Sequence, residues 1–419
     1  MSVTLPPLSL YVHIPWCVRK CPYCDFNSHN APSALPQDEY IDALLADLDQ
    51  DLADCDLADG NAPIGRRPLQ SIFFGGGTPS LFAPERIARL LEGVAARIAF
   101  APDIEITLET NPGTIEHGSF AGYLRAGVNR ISFGVQSFDD DALKRIGRIH
   151  DSTQAERAIK QAQDDGIDNI NLDLMYALPS QTLARALADV EKATMLQTPH
   201  LSHYQLTLEP NTQFAANPPP LPDDDSAWDM QEACQAALAA AGFAQYEVSA
   251  YARPGRECRH NLNYWRFGDY LGIGAGAHAK HSRAAADDSG SDTNSGALEV
   301  KRRWKVRSPR GYLEHARGAR RIGGDEVVAT EQLPFEFMLN ALRLDQGFAL
   351  AEFEVATGLA CTAISARLDE ACARGWLAVA DERVRATETG RRFLNDVIGS
   401  FLPDKPAAAS RPHGGPPHD

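Results

Sequence analysis

The alternation of short strand-like runs with amphipathic helical stretches is the feature that most constrains the fold of this 419-residue chain. Six apolar runs rich in β-forming residues recur, at residues 9–15, 71–77, 105–111, 130–136, 169–176 and 201–208. Helical periodicity lies between them, most clearly at residues 39–53, 84–98 and 152–166. Because strand–helix–strand units produce parallel strands with right-handed crossovers, the alternation predicts an α/β fold. With about six units, a full or partial βα barrel is expected, and a doubly wound open sheet is the alternative.

Polar or glycine-rich sequence stands at the end of each of the first five runs. A group of cysteines follows the first run and GGGTPS follows the second, while Glu109, Gln136 and Asp173 lie on the next three. In βα barrels the active site forms at the carboxyl ends of the strands, because the βα loops meet there. We therefore expect these features to contribute to one shared site.

The sequence changes character after residue 225, which suggests several structural units. These are a βα-barrel core at 1–225, a barrel-closing region at 226–333, a low-complexity surface insertion at 284–297, a C-terminal module at 334–402 and a disordered tail at 403–419. The C-terminal module combines helical periodicity with a β-wing and resembles a winged helix. Its functional interpretation would be DNA binding, and the alternative is an interaction or packing domain.

The charge balance bears on the choice of partner. The chain has 56 acidic and 40 basic residues, a net charge of −16. Phosphate binding depends on Lys and Arg, so this balance argues against a nucleic-acid partner. No apolar run approaches the roughly 20 residues that a bilayer span needs, and the N-terminus lacks the basic segment of a signal peptide. These observations predict a cytoplasmic protein.

Three of the eight cysteines, Cys17, Cys21 and Cys24, lie within eight residues. So few cysteines in a long chain do not indicate a disulfide scaffold. Three thiolates can hold three corners of a cubane iron–sulfur cluster and leave the fourth iron for a ligand that is not protein. The alternative is a zinc site with His13 or His29 as the fourth ligand. The glycine run and the strand-end polar residues favour the cluster, since a zinc site needs neither.

A series of motifs in a characteristic order resembles the radical S-adenosylmethionine (SAM) proteins. The motifs are LYVHIPWC with the CxxxCxxC spacing, FFGGGTPS, LETNP, RISFGVQSF, LKRIGRIH, DLMYALPSQT and HNLNYW. The likeness is to the branch that contains the oxygen-independent coproporphyrinogen III oxidases and their relatives. It implies a βα barrel of the radical SAM type, a [4Fe–4S] cluster on the three clustered cysteines, and SAM chelated to the open iron.

The same resemblance implies a set of SAM-binding residues. They are Tyr11, Gly76, Gly77, Thr78, Glu109, Gln136, Arg148 and Asp173. Their chemistry is compatible with this role, because glycines allow backbone to approach a ligand closely. Glu109 can accept from the SAM amino group, Asp173 from ribose hydroxyls or a cationic group, and Arg148 can pair with the SAM carboxylate. Taken singly, each could instead form a surface salt bridge or a helix cap.

Phe26 separates two interpretations within this family. The oxidases carry a further cysteine at this position, and they have a longer N-terminal extension than the ten residues that precede Tyr11 here. The absence of that cysteine argues against the oxidase reaction. The motif HNLNYW, at residues 260–265, matches instead the HNxxYW pattern of the HemW-type relatives, which act as heme chaperones.

The HNLNYW motif also suggests a heme site. Neutral imidazole is a common axial ligand of heme iron and aromatic rings can flank a porphyrin, so His260, Tyr264 and Trp265 are candidate heme-binding residues. Cys258 is a second possible ligand. The alternative for His260 is a buried side chain that satisfies neighbouring polar groups.

The resemblance as a whole predicts a heme chaperone with a [4Fe–4S] cluster and an exchangeable SAM. Such a protein would bind heme and pass it to an acceptor hemoprotein, for example one of the respiratory chain. The alternative is an oxygen-independent coproporphyrinogen III oxidase or another radical SAM enzyme that acts on a tetrapyrrole. A nucleic-acid-modifying radical SAM protein is a third hypothesis, which the net charge of −16 disfavours.

Overall fold

The computed structural model describes residues 5–59, 64–114, 120–284 and 298–403. The predicted insertion at 284–297 and the predicted tail at 403–419 lie outside these residues except for Ala284 and Pro403. Ala284 is the last residue of a β-strand.

Seventeen strands lie within the described residues. They are β1 (Leu8–Ile14), β2 (Trp16–Cys17), β3 (His29–Asn30), β4 (Leu69–Gly76), β5 (Phe100–Thr110), β6 (Arg130–Gln136), β7 (Ile170–Tyr176), β8 (His200–Gln205), β9 (Ala244–Glu247), β10 (Ala250–Ala252), β11 (Asp269–Ile273), β12 (His278–Ala284), β13 (Leu298–Lys305), β14 (Ile322–Val327), β15 (Phe348–Ala349), β16 (Leu377–Ala380) and β17 (Arg383–Ala386).

Fifteen α-helices accompany them in the same part of the chain. They are α1 (Gln37–Asp59), α2 (Pro84–Ala95), α3 (Ala121–Ala126), α4 (Asp140–Arg145), α5 (Ser152–Asp164), α6 (Leu183–Met195), α7 (Gln213–Ala216), α8 (Asp224–Ala240), α9 (Arg259–Trp265), α10 (Pro309–His315), α11 (Leu333–Ala341), α12 (Leu350–Thr357), α13 (Ser365–Ala373), α14 (Glu388–Arg392) and α15 (Leu394–Gly399). None of these helices is both long and apolar enough to cross a membrane.

Twelve strands form one large sheet in the order β14-β13-β12-β11-β1-β4-β5-β6-β7-β8-β10-β9. Seven consecutive members, from β11 to β8, run parallel to one another. The six runs expected from the sequence correspond to β1, β4, β5, β6, β7 and β8, so the predicted α/β fold is confirmed. Among the described residues the terminal strands β9 and β14 do not pair, and the barrel is therefore partial.

The parallel strands form because their apolar residues are covered on both faces. β1 and β7 are each buried at six of seven positions, as expected for strands inside a parallel sheet. The helices between them bury an apolar stripe on the same core and begin at defined caps. Asp151, for example, accepts from the backbone of Gln154 in a capping box that starts α5.

Strands that follow residue 225 extend both edges of the same sheet with antiparallel neighbours. β10 and β9 continue beyond β8, while β12, β13 and β14 continue beyond β11. These antiparallel additions and the parallel strand β11 were not predicted from the sequence. The domain boundaries at 225 and 333 remain predictions, since the sheet itself runs past the first of them.

A buried cluster of charges joins the extended edge to helix α1. Lys305 Nζ donates to Asp51 Oδ2 at 2.7 Å and also bonds Asp47, and Arg321 Nε donates to Asp47 at 3.0 Å. The side chains of Lys305 and Asp47 are fully buried. Because removing one partner would leave an uncompensated buried charge, the cluster holds β13 and β14 firmly against α1.

The C-terminal part of the chain has a hydrophobic core of its own. Helices α11 to α15 surround a small sheet with the strand order β15-β17-β16. Phe337 packs edge to face against Phe348 and Phe353 at the centre of this core. Helices joined to a short antiparallel sheet are the arrangement that the sequence suggested for this module.

Candidate functional site

The carboxyl ends of the parallel strands surround a cavity of about 390 Å³, which we term the first cavity. Its walls include the three clustered cysteines and seven of the eight predicted SAM-binding residues: Gly76, Gly77, Thr78, Glu109, Gln136, Arg148 and Asp173. Tyr11 is the exception. The strand-end features that were expected to contribute to one site therefore line a common cavity.

The loop after β1 directs the cysteines toward the first cavity. Short strand β2, which ends at Cys17, pairs in parallel with β3, and the intervening loop carries Cys21 and Cys24. The backbone N–H of Cys24 donates to the Cys21 carbonyl at 3.2 Å, and Lys20 Nζ donates to the Phe26 carbonyl at 2.9 Å. All three thiols are free and partly buried.

The surroundings of the thiols bear on the choice between an iron–sulfur cluster and a zinc ion. Of the two suggested zinc ligands, His29 has Nε2 3.3 Å from Asn27 Oδ1. In the described part of the chain, no three His, Cys, Asp or Glu side chains converge closely enough to hold a single metal ion. His13, one suggested zinc ligand, uses both ring nitrogens, with Tyr11 Oη at 3.1 Å and the Asn27 carbonyl at 2.9 Å. Cysteines that bind different irons of a cluster need not converge on one point.

Burial raises the pKa of the Cys17 and Cys24 thiols. They would thus remain protonated near neutral pH until a metal centre displaces their protons. Arg148 is partly buried beside the thiol of Cys21, with Nη1 3.7 Å from Cys21 Sγ, and it also donates to the Gly134 carbonyl. Its positive charge would offset the negative charge of thiolates and of a bound carboxylate.

The glycine run packs against the cysteine-bearing segment so closely that side chains do not fit. A Cβ on Gly77 would lie 2.4 Å from the Trp16 carbonyl oxygen, and one on Gly76 would lie 2.5 Å from the His13 ring. Gly76 also has a φ of 107°, which L side chains rarely adopt. The backbone N–H of Thr78 donates to the Trp16 carbonyl at 2.7 Å. The glycines are therefore required for the wall of the first cavity.

Two partly buried carboxyl groups, Glu109 and Asp173, line the first cavity. Burial, followed by the charge of Asp173, raises the pKa of Glu109 to about 8. Burial also raises the pKa of Asp173, although Asn171 Nδ2 donates to it at 2.8 Å and Ser132 Oγ at 3.3 Å. Among the described residues neither carboxylate has an ion pair within 4.0 Å. A cationic ligand would therefore be favoured here.

Gln136 ends β6 in an unusual conformation. Its φ of 71° lies in the left-handed region, which is uncommon for a residue other than glycine. Tyr204 Oη donates to its Oε1 at 2.9 Å and orients the amide at the cavity wall. Backbone strain of this kind clusters at functional sites, where the surrounding structure supports it.

A larger cavity of about 760 Å³, which we term the second cavity, adjoins the first. Gly76, Glu109 and Phe26 line both cavities, and Phe26 is 60% exposed at their common rim. Tyr11, the remaining predicted SAM-binding residue, lies here rather than in the first cavity. Five aromatic side chains contribute to its walls: Tyr11, Phe26, Tyr264, Tyr270 and Trp304.

The structure separates the residues of the predicted heme motif. Tyr264 lines the second cavity, whereas His260 is 1% exposed behind it. Both nitrogens of His260 are engaged, Nδ1 with Ser71 Oγ at 2.8 Å and Nε2 with Tyr264 Oη at 2.9 Å. Trp265 does not line the second cavity, and its ring centroid lies 4.4 Å from the Arg343 guanidinium carbon.

The second possible heme ligand, Cys258, lines neither cavity. Its side chain is fully buried, and Sγ donates to Glu105 Oε1 at 3.4 Å. Burial raises the pKa of this thiol to about 12. Cys258 occupies the N-cap position of α9 without a side-chain capping hydrogen bond, and its environment is that of a structural residue.

Sequence reasoning did not single out two polar residues of the second cavity, His278 and Arg307. His278 begins β12, directly after the segment GIGAGA. Gly274 and Gly276 in that segment have φ values of 109° and 78°. The sequence signal that could have pointed to these two residues is the GIGAGA segment, because it is a second glycine-rich stretch at the end of a strand and resembles the glycine run that ends β4.

Comparison with known proteins relates this chain to two protein families and to named relatives. A model of the radical SAM superfamily matches residues 11–193, and a model of the HemN C-terminal domain matches residues 328–393. A relative from Escherichia coli (strain K12), named heme chaperone HemW, is 49% identical over 96% of this chain and 99% of its own length. A protein of the same name from Haemophilus influenzae is 48% identical, with the same coverage.

A solved structure supports the fold. Coproporphyrinogen III oxidase (HemN) from Escherichia coli, described as a radical SAM enzyme, superimposes with a TM-score of 0.74. The likeness covers 95% of this chain and 90% of HemN at 22% identity, and it therefore concerns architecture alone.

The fold and the matched models define a radical SAM protein with a HemN-type C-terminal domain. Within that class the chain belongs to the HemW family, because near-complete coverage at almost half identity relates it to those proteins.

Proposed function

We propose that the protein is a heme chaperone that carries a [4Fe–4S] cluster and an exchangeable SAM. The observation that carries this proposal is the pair of adjoining cavities with a shared wall at Gly76 and Glu109. The first cavity is lined by thiols and charged groups and suits the cluster with SAM. The second is larger and aromatic, and it suits a porphyrin. Two relatives of nearly equal length bear the name heme chaperone.

In this proposal Cys17, Cys21 and Cys24 each bind one iron of the cluster. SAM would occupy the open iron, with its carboxylate near Arg148 and its cationic groups near the carboxylates of the first cavity. When bound and reduced, the cluster would supply one-electron chemistry toward SAM. Gly76 and Gly77 provide the close backbone wall, and Gln136 offers an oriented amide.

Heme is the cargo in this proposal and occupies the second cavity. Of the three heme-binding candidates in HNLNYW, Tyr264 borders the cavity, and His260 supports it from behind through their hydrogen bond. The exposed rim at Phe26 leaves an opening through which heme could pass to an acceptor hemoprotein, for example one of the respiratory chain.

The alternative is an oxidase, or another radical SAM enzyme, with a tetrapyrrole substrate. The shared wall favours it, because a substrate in the second cavity would lie beside SAM. Phe26 argues against the oxidase reaction, since it occupies this junction where the oxidases carry a further cysteine.

One anaerobic experiment separates the two functions. Cluster-reconstituted protein is incubated with SAM, a strong reductant and coproporphyrinogen III, and 5′-deoxyadenosine and substrate are quantified together. Hemin is titrated in parallel and the Soret band is followed. Saturable heme binding with untouched coproporphyrinogen supports the chaperone, while repeated substrate decarboxylation would establish the oxidase instead.

A further inference from the structure

Three imidazoles lie in or next to the second cavity, and two of them have no free nitrogen. An axial heme ligand needs an imidazole nitrogen whose lone pair is available. His13 is hydrogen-bonded through both nitrogens, to Tyr11 and to the Asn27 carbonyl. His260 is likewise engaged at both nitrogens. Each would have to break a buried hydrogen bond before it could bind iron.

The third imidazole, His278, is available. Its ring makes no hydrogen bond with any described residue, and its side chain is exposed on the wall of the second cavity. It stacks on Trp304, its register partner in β13, with the ring centroids 6.3 Å apart and the planes at 25°. This contact restricts the ring orientation. Partial desolvation at the cavity wall and the nearby cations Arg302 and Arg307 lower the pKa of His278, which favours the neutral form that binds iron.

Arg307 offers an unpaired cation at the same wall. No carboxylate of the described residues lies within 4.0 Å of its guanidinium, although it is one of the charged groups nearest the second cavity. Its backbone is well anchored, because Asn27 Nδ2 donates to the Arg307 carbonyl and to the Ala275 carbonyl, both at 2.9 Å. A guanidinium on a fixed backbone is suited to bind a carboxylate with two parallel hydrogen bonds. Heme presents such carboxylates as its propionates.

We propose that heme binds in the second cavity with His278 as an axial ligand of its iron and with Arg307 paired to a propionate. Trp304 and Tyr264 flank the macrocycle. The proposal rests on the proposed function, since it takes heme as the cargo. It assigns His260 a positioning role, in which the imidazole holds the Tyr264 hydroxyl at the cavity wall.

Hemin titrations of the full-length chain test the ligand. Wild type, His278→Ala and His260→Gln are compared by Soret position, electron paramagnetic resonance spin state and Kd, with circular dichroism as a check on folding. His278→Ala is expected to lose the histidine-ligated spectrum and at least about tenfold in affinity. Added imidazole should restore the spectrum. His260→Gln should keep the histidine-ligated spectrum with a smaller loss of affinity, because His260 positions Tyr264 and glutamine can still bond Ser71 or Tyr264.

The outcomes distinguish this proposal from the function on which it rests. If His278→Ala keeps the wild-type spectrum and affinity while wild type binds saturably, His278 is not the ligand but the heme chaperone function stands. If wild type itself binds hemin only weakly and without saturation, the proposed function fails, and the site fails with it.

A second probe tests Arg307 separately. Arg307→Gln should weaken hemin binding at least about threefold, whereas Arg310→Gln, an exposed arginine paired with Glu314, should not. Heme dimethyl ester, whose propionates carry no charge, should bind wild type and Arg307→Gln equally. If Arg307→Gln weakens binding of the ester as strongly as it weakens binding of hemin, the proposed contact between Arg307 and a propionate is wrong.

Discussion

Arg148 and Cys21 meet in the first cavity, with the guanidinium Nη1 3.7 Å from the thiol sulfur. Arg148 is partly buried and also donates to the Gly134 carbonyl. The cation therefore lies beside a predicted cluster ligand, and it is the arginine that we expect to contact the SAM carboxylate. The Arg148 side chain would thus affect both the iron–sulfur cluster and SAM.

Replacing Arg148 by Met should weaken SAM binding while the cluster still assembles. The loss of a charge-assisted contact should reduce SAM affinity by at least about tenfold. It should also lower the reduction potential of the cluster, because a nearby positive charge favours the reduced form. Equilibrium dialysis with SAM and redox titration measure the two effects. Lys144→Met, an exposed position on α4, is the control, and equal effects of both variants would contradict the assignment.

Gly77→Ala should disrupt the wall that both cofactors share. Its Cβ would lie 2.4 Å from the Trp16 carbonyl oxygen, so the cysteine-bearing segment would have to shift. We expect a loss of about 1–3 kcal/mol in the free energy of unfolding, together with weaker SAM binding. Gly399→Ala is the matched control, since nothing lies within 4 Å of its added Cβ. Urea denaturation measures the difference, and a stable Gly77→Ala with normal SAM affinity would show that the close contact is unimportant.

Glu109 should make the stability of the SAM-free protein depend on pH. Its pKa is raised to about 8 in the fold, whereas an exposed Glu ionises near 4.5. Between these values the folded protein holds a proton that the unfolded chain has lost, so stability falls as pH rises toward 8. Glu109→Gln should remove this contribution to the pH dependence of the free energy of unfolding. Denaturation at several pH values checks this, and identical slopes for both proteins would contradict the raised pKa.

The same carboxyl group should couple SAM binding to proton release. A cationic ligand favours ionised Glu109, so SAM affinity should rise with pH, by up to about tenfold per unit below the pKa. The rise should level off near pH 8 and be absent in Glu109→Gln. Calorimetry in buffers of different ionisation enthalpy measures the released proton.

Replacement of Cys17, Cys21 and Cys24 together by Ser should uncouple heme binding from heme transfer. The proposed heme contacts, His278 and Arg307, lie outside the cysteine loop, so hemin affinity should change by less than about threefold. Transfer to an apo-hemoprotein should be lost if the cluster governs release. Cys372→Ser, in the C-terminal unit, is the control. Undiminished transfer by the triple variant would remove the cluster from the release step.

The buried charge cluster at the sheet edge should be important for stability. Asp47→Ala leaves Lys305 and Arg321 without one partner in a buried site, and we expect a loss of about 3–5 kcal/mol. Asp42 lies on the same helix as Asp47 and is an exposed partner of Arg89. Asp42→Ala should cost less than about 1 kcal/mol. Thermal and urea denaturation compare the two. Similar losses at both positions would mean that the buried cluster has no special role.

The parallel core was predictable because its strands are apolar on both faces. Runs such as those of β1 and β7 stand out as continuous apolar segments, and helical periodicity marks the crossovers. The meeting of Glu109, Gln136 and Asp173 followed from one geometric rule, which is that the carboxyl ends of parallel strands lie at the same edge. Local pattern and general topology were sufficient for this part.

The second cavity was not predictable in the same way. His278 and Arg307 reach it only because β11 pairs with β1, a contact between distant parts of the chain that no local pattern reveals. A motif also identifies residue types but not the direction of side chains. Tyr11 therefore faces a different cavity from the one expected, and His260 lies behind Tyr264 rather than beside it.

The second cavity takes part of its wall from an edge of the sheet that does not line the first cavity. The parallel strands supply the first, while His278, Trp304 and Arg307 come from the antiparallel hairpin β12–β13 and the residue pair that follows it. Such a division makes the molecule modular. Under the proposed function, changes in the hairpin would alter which macrocycle is carried, and how tightly, while the proposed SAM-binding residues stay unchanged. Proteins that share the parallel strands around the first cavity could thus bind different macrocycles through changes at one edge of the sheet.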